Sequence, residues 1–232
     1  MSAKVDHCQA WVLHSRPYRE TSLLVDVFSR DYGRVALVAR GARRATAQIR
    51  ARMMPFQPVL LSWFGRGAVR TLAAAEWQGG HLHLTGTPLI CGFYLNELLL
   101  KLLTAEDAHE ALFDRYAETL YALFAGIAPA ICLRRFELTL LAELGYAEAL
   151  THTAAGEPVQ SDARYLWQAG QGILIAPEGP YSGAMLLALA GGEWDDPALL
   201  AGSKPLLRAL IGHHLGARTL HTRQLLIDLN SL

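Results

Sequence analysis

The chain is 232 residues long, 52% hydrophobic and 18% charged, which excludes a disordered tail and leaves room for one large domain or, on our reading, two smaller ones. No apolar run reaches the roughly 18 residues needed to span a membrane. The formal net charge of zero is a balance of opposites: residues 1–80 hold 12 basic side chains against 5 acidic ones, and residues 81–232 hold 9 against 16.

The opening stretch from Met1 to Cys8 carries charge where a signal peptide requires an apolar core, so export is not expected and a cytoplasmic location is. Residues 9–15, 21–29 and 33–39 are short runs rich in Val, Leu and aromatic side chains, separated by turn-like segments at 16–20 and 30–33; they read as strands. Two further runs, 59–64 and 69–77, flank Gly65, Arg66 and Gly67, a hairpin-turn sequence. Five short strands with a long connection between the third and fourth fit a small Greek-key barrel of the OB type, although periodicity alone also admits another small barrel.

Past Thr85 the pattern becomes helical. Thr87 and Pro88 offer a cap and a first-turn proline for a largely apolar helix over 89–103. Residues 106–124 are amphipathic, with Leu112, Phe113, Tyr116, Leu120 and Leu123 on one side. Glu106, Asp107, Glu110, Asp114 and Glu118, interleaved with His109 and Arg115, read as a solvated stripe. A third helix over 129–144 ends at Gly145. Residues 151–180 break the pattern with Gly and Pro around a strand at 172–175, and helices return at 182–189, 203–215 and 222–229, the last two opening with Ser203 and Thr222 as caps. The expected fold class is α+β: an N-terminal OB-fold β-barrel over 1–80, then an all-helical domain over 81–232 with a small irregular insertion at about 151–180.

Signatures of catalysis are missing from the sequence. There is no Gly-x-x-x-x-Gly-Lys-Ser/Thr, Ser182 has no glycine two positions away on either side, and His81, His83, His213, His214 and His221 form no ligand pair. Cys8, Cys91 and Cys132 are odd in number and far apart, and read as packed thiols. No enzymatic activity, no cofactor and no metal are expected.

What remains is the charge. From Tyr32 to Ala75 there is no acidic residue, yet Arg34, Arg40, Arg43, Arg44, Arg50, Arg52, Arg66 and Arg70 all lie there. Solvated faces mix signs, so a one-sign stretch reads as the footprint of a polyanion, and guanidinium groups suit phosphate geometry. The competing reading is that these arginines pair with the acidic second half. Gly41 and Ala42 let the chain bend so that Arg40, Arg43 and Arg44 reach successive phosphates. Such binding is sequence-tolerant and weakens steeply with salt. Tyr18, Tyr32 and Trp63 are candidate base-stacking residues or, alternatively, core.

Six stretches in order carry a resemblance: Val12 to Ser29, Gly33 to Arg44, Met54-Pro-Phe-Gln-Pro58, Tyr94-Leu-Asn-Glu-Leu-Leu99, Leu133 to Tyr146, and Leu215 to Leu225. Together they cover most of the chain, and their combination resembles the bacterial RecO family of DNA repair and recombination mediators. The resemblance implies binding of single- and double-stranded DNA, annealing of complementary strands, help in loading the RecA recombinase on strands coated by single-strand-binding protein, and a nucleoid-associated location. It implies RecR, the acidic and apolar tail of single-strand-binding protein and sometimes RecF as partners. A tail of that chemistry needs a cation beside an apolar groove, for which Arg134, Arg135, Phe136 and Leu140 are candidates, unless the arginines pair with Glu137 or Glu143. Many relatives carry a four-cysteine zinc site between the helices, whereas residues 151–178 here contain no cysteine. Packing of Tyr165, Trp167, Ile173 and Ile175 is expected in its place. A protein-interaction adaptor and an RNA-binding factor are the other readings of the same charge pattern.

Overall fold

The computed structural model describes residues 4–44, 46–79, 82–145, 150–192, 196–222 and 224–225. The chain forms two compact units, residues 1–125 with 220–232, and residues 126–219.

The first unit is built on strands β1 (Lys4–Tyr18), β2 (Ser22–Ser29), β3 (Gly33–Ala39), β4 (Pro58–Phe64) and β5 (Val69–Trp77). Alternation sets the faces. In β3, Val35, Leu37 and Ala39 are buried while Arg34, Ala36 and Val38 are half-exposed, the period of two that a strand with one buried face requires. Val25, Val27, Leu37, Val59, Leu61 and Trp63 from three strands meet in one apolar cluster. β1 pairs antiparallel with both β2 and β4, and the strand order is β1-β2-β3-β5-β4. β3 and β5 pair in parallel through Ala36–Val69, Leu37–Arg70 and Val38–Thr71.

The expected fold class is corrected on these findings. The long connection 40–57 carries the chain across to β1 before the β4–β5 hairpin forms, so β5 returns beside β3 in the same direction. The five strands close into a barrel of order β1-β2-β3-β5-β4, and because β5 runs parallel to β3 its sheet is mixed. The connection also holds a short helix, α1 (Ile49–Arg52), that the pattern did not announce. The all-helical domain expected over 81–232 is not all-helical, since a second, three-stranded sheet lies within it. The fold is α+β with helices, a mixed sheet and a second small sheet.

Helices α2 (Gly86–Leu102) and α3 (Glu110–Phe124) belong to the first unit. β1 is buried on both sides at Ala10–Leu13: Ala10 and Val12 join the inner cluster, while Trp11 meets the ring of Tyr116 edge-on at 5.8 Å. Phe28 meets Phe113 and Tyr116 in the same layer. One polar node lies there: the Asn96 amide donates to the Leu13 carbonyl at 2.7 Å and accepts from the Tyr116 hydroxyl at 2.5 Å. Burial pushes the Tyr116 hydroxyl far above its ordinary value, so it stays a donor.

Helix starts differ from expectation. α2 begins at Gly86, placing Thr87 and Pro88 inside its first turn. α3 begins at Glu110 rather than Glu106, because the preceding segment lies along β3: Arg34 and Ala105 form a parallel bridge, and the Glu106 N–H donates to the Arg34 carbonyl at 3.0 Å.

In the second unit, α4 (Pro129–Glu143) packs against α6 (Pro197–Leu215), with α5 (Gly183–Gly191) between them in sequence. Ser203, expected as a cap, is buried inside α6 and donates to the Leu200 carbonyl, while Asp196 caps the helix by accepting from the Ala198 N–H at 2.8 Å. Pro205 two residues past Ser203 imitates a helix start. The expected helix over 222–229 lies largely outside the described residues.

The 151–180 excursion is ordered, with β6 (Arg164–Gln168), β7 (Gly172–Ile175) and β8 (Tyr181–Ser182) in an antiparallel sheet of order β7-β6-β8. Tyr165 and Ile173 are buried and Trp167 is half-buried, but Ile175 is 58% exposed and adds no core. A Cβ on Gly183 would stand 1.8 Å from the Gln160 carbonyl oxygen, so the chain crosses itself closely here. Among the described residues no three of His, Cys, Asp or Glu gather as a metal site.

Candidate nucleic-acid interface

The eight arginines of the acid-free stretch do not form one site. Arg34 and Arg40 stand near opposite ends of β3, six residues and so about 20 Å apart. Because β5 runs parallel to β3, the 65–68 turn before it puts Arg66 toward the Gly33 end; Arg70 stands opposite Leu37, but its guanidinium reaches Glu106, which is bonded to Arg34 at that end, and the β2–β3 turn adds Arg30 there. The connection after β3 and the β1–β2 turn put Arg40, Arg43 and Arg44 with Arg19 at the Ala39 end.

At the Gly33 end the guanidinium groups of Arg30, Arg34 and Arg70 are committed to the protein. Arg34 Nε donates to the Leu103 carbonyl at 3.3 Å. Arg70 donates to the Gly65 carbonyl at 2.8 Å and to Glu106 at 2.5 Å, with its side chain 17% exposed. Arg30, which the sequence reading left out, pairs with Asp114 at 2.7 Å and Glu110 at 3.2 Å. Gly33 is required for this closeness: its φ is +63°, and a Cβ would lie 1.8 Å from the Asp107 carbonyl oxygen. The carboxylate stripe expected to be merely solvated thus neutralises part of the basic segment.

The Ala39 end is different. The Arg43 N–H donates to the Thr21 carbonyl at 2.8 Å, extending the β2–β3 ladder, and its guanidinium donates to the carbonyls of Arg19 and Glu20. This draws the β1–β2 turn, with exposed Arg16 and Arg19, against the 40–44 loop. Gly41 takes φ of +69° in that loop. Arg52 docks α1 onto β5 by donating to the Ala75 carbonyl at 2.7 Å. Arg40, Arg44, Arg50 and Arg16 are exposed, and among the described residues their guanidinium groups meet neither a carboxylate nor a hydrogen-bond acceptor. Sequence reasoning missed Arg16 and Arg19 because Glu20 interrupts the one-sign run; the pairing of the two turns restores them.

Of the three aromatic candidates, Trp63 is 4% exposed and part of the inner cluster. Tyr32 stands edge-on to it at 5.3 Å, at the Gly33 end. Tyr18 is half-buried under the Arg19 guanidinium, 5.3 Å from its ring centre. On α4, Phe136 and Leu140 are fully buried, and Arg134 pairs with Glu137, itself almost wholly buried. Arg135 is half-buried. Burial raises the Cys8 and Cys132 thiols above their ordinary values, which disfavours the reactive thiolate. His81 lies outside the described residues; His213 meets His214 and Trp167 ring to ring. Among the described residues no helix is long and apolar enough to cross a membrane.

A mixed sheet with exposed guanidinium groups clustered at one end presents a one-sign surface, the chemistry that suits a polyanion. The sequence comparisons give the family. The model of the family described as Recombination protein O N terminal matches residues 1–80, and that of Recombination protein O C terminal matches residues 83–224. A protein of Azoarcus sp. (strain BH72) is 49% identical over 238 residues, covering 99% of this chain and 98% of its own length. Another, of Thiobacillus denitrificans, is 48% identical over 242 residues, covering 99% of this chain and 94% of its own length. A third, of Laribacter hongkongensis, is 49% identical over 234 residues, with 99% and 97% covered. All three are described as DNA repair protein RecO. The chain belongs to the RecO family, DNA repair and recombination mediators of the RecF pathway that act without catalysis of their own.

Proposed function

We propose that the Ala39 end of the mixed sheet holds the phosphates of single- and double-stranded DNA, and that the protein thereby anneals complementary strands and helps load RecA on strands coated by single-strand-binding protein. The observation that carries this is the set of exposed guanidinium groups of Arg40, Arg44 and Arg50, beside Arg43, which among the described residues draw no ion pair. Phosphate contacts position a strand without reading its bases, so binding is tolerant of sequence and steeply salt-dependent. Annealing needs no bond-making: two strands held on one basic surface have their mutual repulsion screened.

In this division of labour residues 1–80 supply the DNA face and residues 81–232 the partner face, for RecR, RecF and the tail of single-strand-binding protein. For that tail the proposal narrows to the α4 arginines, since Phe136 and Leu140 are interior. Arg134 compensates buried Glu137, so reversing its charge damages the fold; Arg135→Glu is the cleaner probe. A labelled tail peptide binding Arg135→Glu as well as wild type rejects the α4 site.

The test of the main proposal is annealing of complementary strands coated by single-strand-binding protein, with and without this protein. Acceleration by wild type and its loss in a folded Arg40→Gln/Arg43→Gln/Arg44→Gln variant are expected. No acceleration by wild type, or equal acceleration by the variant, rejects it.

A further inference from the structure

Arginine alone does not explain why the two ends of β3 differ. Both ends carry guanidinium groups, but among the described residues carboxylates reach only one. Arg30 is held by Glu110 and Asp114, and Arg70 by Glu106, all from the α2–α3 connection and the first turns of α3. The placement is fixed by the backbone: the connection is bridged to β3 at Arg34 and Ala105, and only a glycine at position 33 allows it to lie so close.

We propose that Glu106, Glu110 and Asp114 act as an electrostatic fence, standing in for phosphates on Arg30 and Arg70 and so confining a bound strand to the Ala39 end. This rests on the DNA-binding reading given above and adds what limits its track. Glu110 and Asp114 side chains are 64% and 51% exposed, so their pairs with Arg30 contribute little to stability and their position at the surface calls for another role. Repulsion from the stripe acts within a screening length of about 8–10 Å at moderate salt, which covers the Gly33 end and has decayed at the other, about 20 Å away. A cavity of about 490 Å³ lies beside the Arg70–Glu106 pair, lined also by Arg34, Ala36, Gly67 and Ala68.

The test compares salt dependence of oligonucleotide binding for the full-length wild type, Glu110→Gln/Asp114→Asn, and that double variant with Arg30→Gln added. Each freed arginine that gains a phosphate steepens the logarithmic salt slope for a single strand by about 0.7, so between about 50 and 200 mM salt the double variant loses about 2.6-fold more affinity than wild type. Adding Arg30→Gln returns the slope to the wild-type value. An unchanged slope in the double variant overturns the fence, and so does a steepened slope that survives Arg30→Gln, which is then a bulk charge effect. Glu106→Gln tested against Arg70 repeats the comparison at the second pair, should the first variant fold poorly. Wild type that shows no salt-dependent binding at all refutes the DNA-binding reading instead, so the two failures are distinct.

Discussion

Replacing Arg40 and Arg44 together by Gln, and separately Arg34 and Arg52 together by Gln, produces opposite phenotypes if the arginines divide as the structure shows. Neither Arg40 nor Arg44 has a polar partner for its guanidinium among the described residues, so removing both leaves stability within about 0.5 kcal/mol of wild type. The loss falls on DNA: two phosphate contacts account for about 1.4 of the salt slope, and a fourfold rise in salt weakens this variant about 7-fold less than it weakens wild type. Arg34 and Arg52 each satisfy a backbone carbonyl, those of Leu103 and Ala75. Their loss costs about 1–1.5 kcal/mol each, adding because the sites are far apart, while the salt slope stays at the wild-type value. A combined loss of about 2–3 kcal/mol lowers Tm by roughly 5–10 °C. Fluorescence anisotropy of a labelled oligonucleotide at several salt concentrations, with a thermal melt of each variant, reads both effects. Equal flattening of the slope by the two double variants, or a lowered melt for Arg40→Gln/Arg44→Gln, refutes the division.

Asn96→Leu strands the Leu13 carbonyl and the Tyr116 hydroxyl in an apolar layer, and a chemical denaturation curve is expected to show a loss of at least about 2 kcal/mol. Gly33→Ala pushes a methyl group into the Asp107 carbonyl, and faster hydrogen exchange at the Glu106 N–H reports the connection lifting from β3. Glu97 accepts from Lys101, from the His221 and Thr222 N–H groups and from the Thr222 hydroxyl. Burial alone would raise its carboxyl, but these donors outweigh it and lower it from an ordinary 4.5 to about 2. A depressed carboxylate stabilises fully above about pH 4.5 and loses that contribution as pH falls through about 2. Exchange at residues 221–222 is therefore expected to rise across that window in wild type, whereas in Glu97→Gln it is already fast at neutral pH.

Much of the sheet was legible because its strands have one buried face. The period of two in β3 survives the fold unchanged, and the glycines of the β4–β5 turn mark a hairpin by local geometry. What was not legible depends on contacts distant in sequence. The parallel pairing of β5 with β3 follows from where the 40–57 connection leads, which no local pattern encodes. Glu106 scores as helix on periodicity but is drawn onto β3 by the Arg34 carbonyl. Pro205 after Ser203 looks like a helix start and is an interior proline of α6. The charge pattern located the basic surface but could not divide it. Arg30 sits next to Asp31 and Arg19 next to Glu20, so both were screened out by neighbours in sequence, and only the strand registers show which carboxylates reach which arginines.

Arginine-selective modification by phenylglyoxal, followed by mass spectrometry with and without a bound oligonucleotide, tests the central claim most directly. DNA is expected to protect Arg40, Arg44 and Arg50 together with Arg16 and Arg19, while Arg30 and Arg70 keep the same reactivity in both samples. Protection of Arg30 and Arg70 with the Ala39 end left reactive would contradict the account.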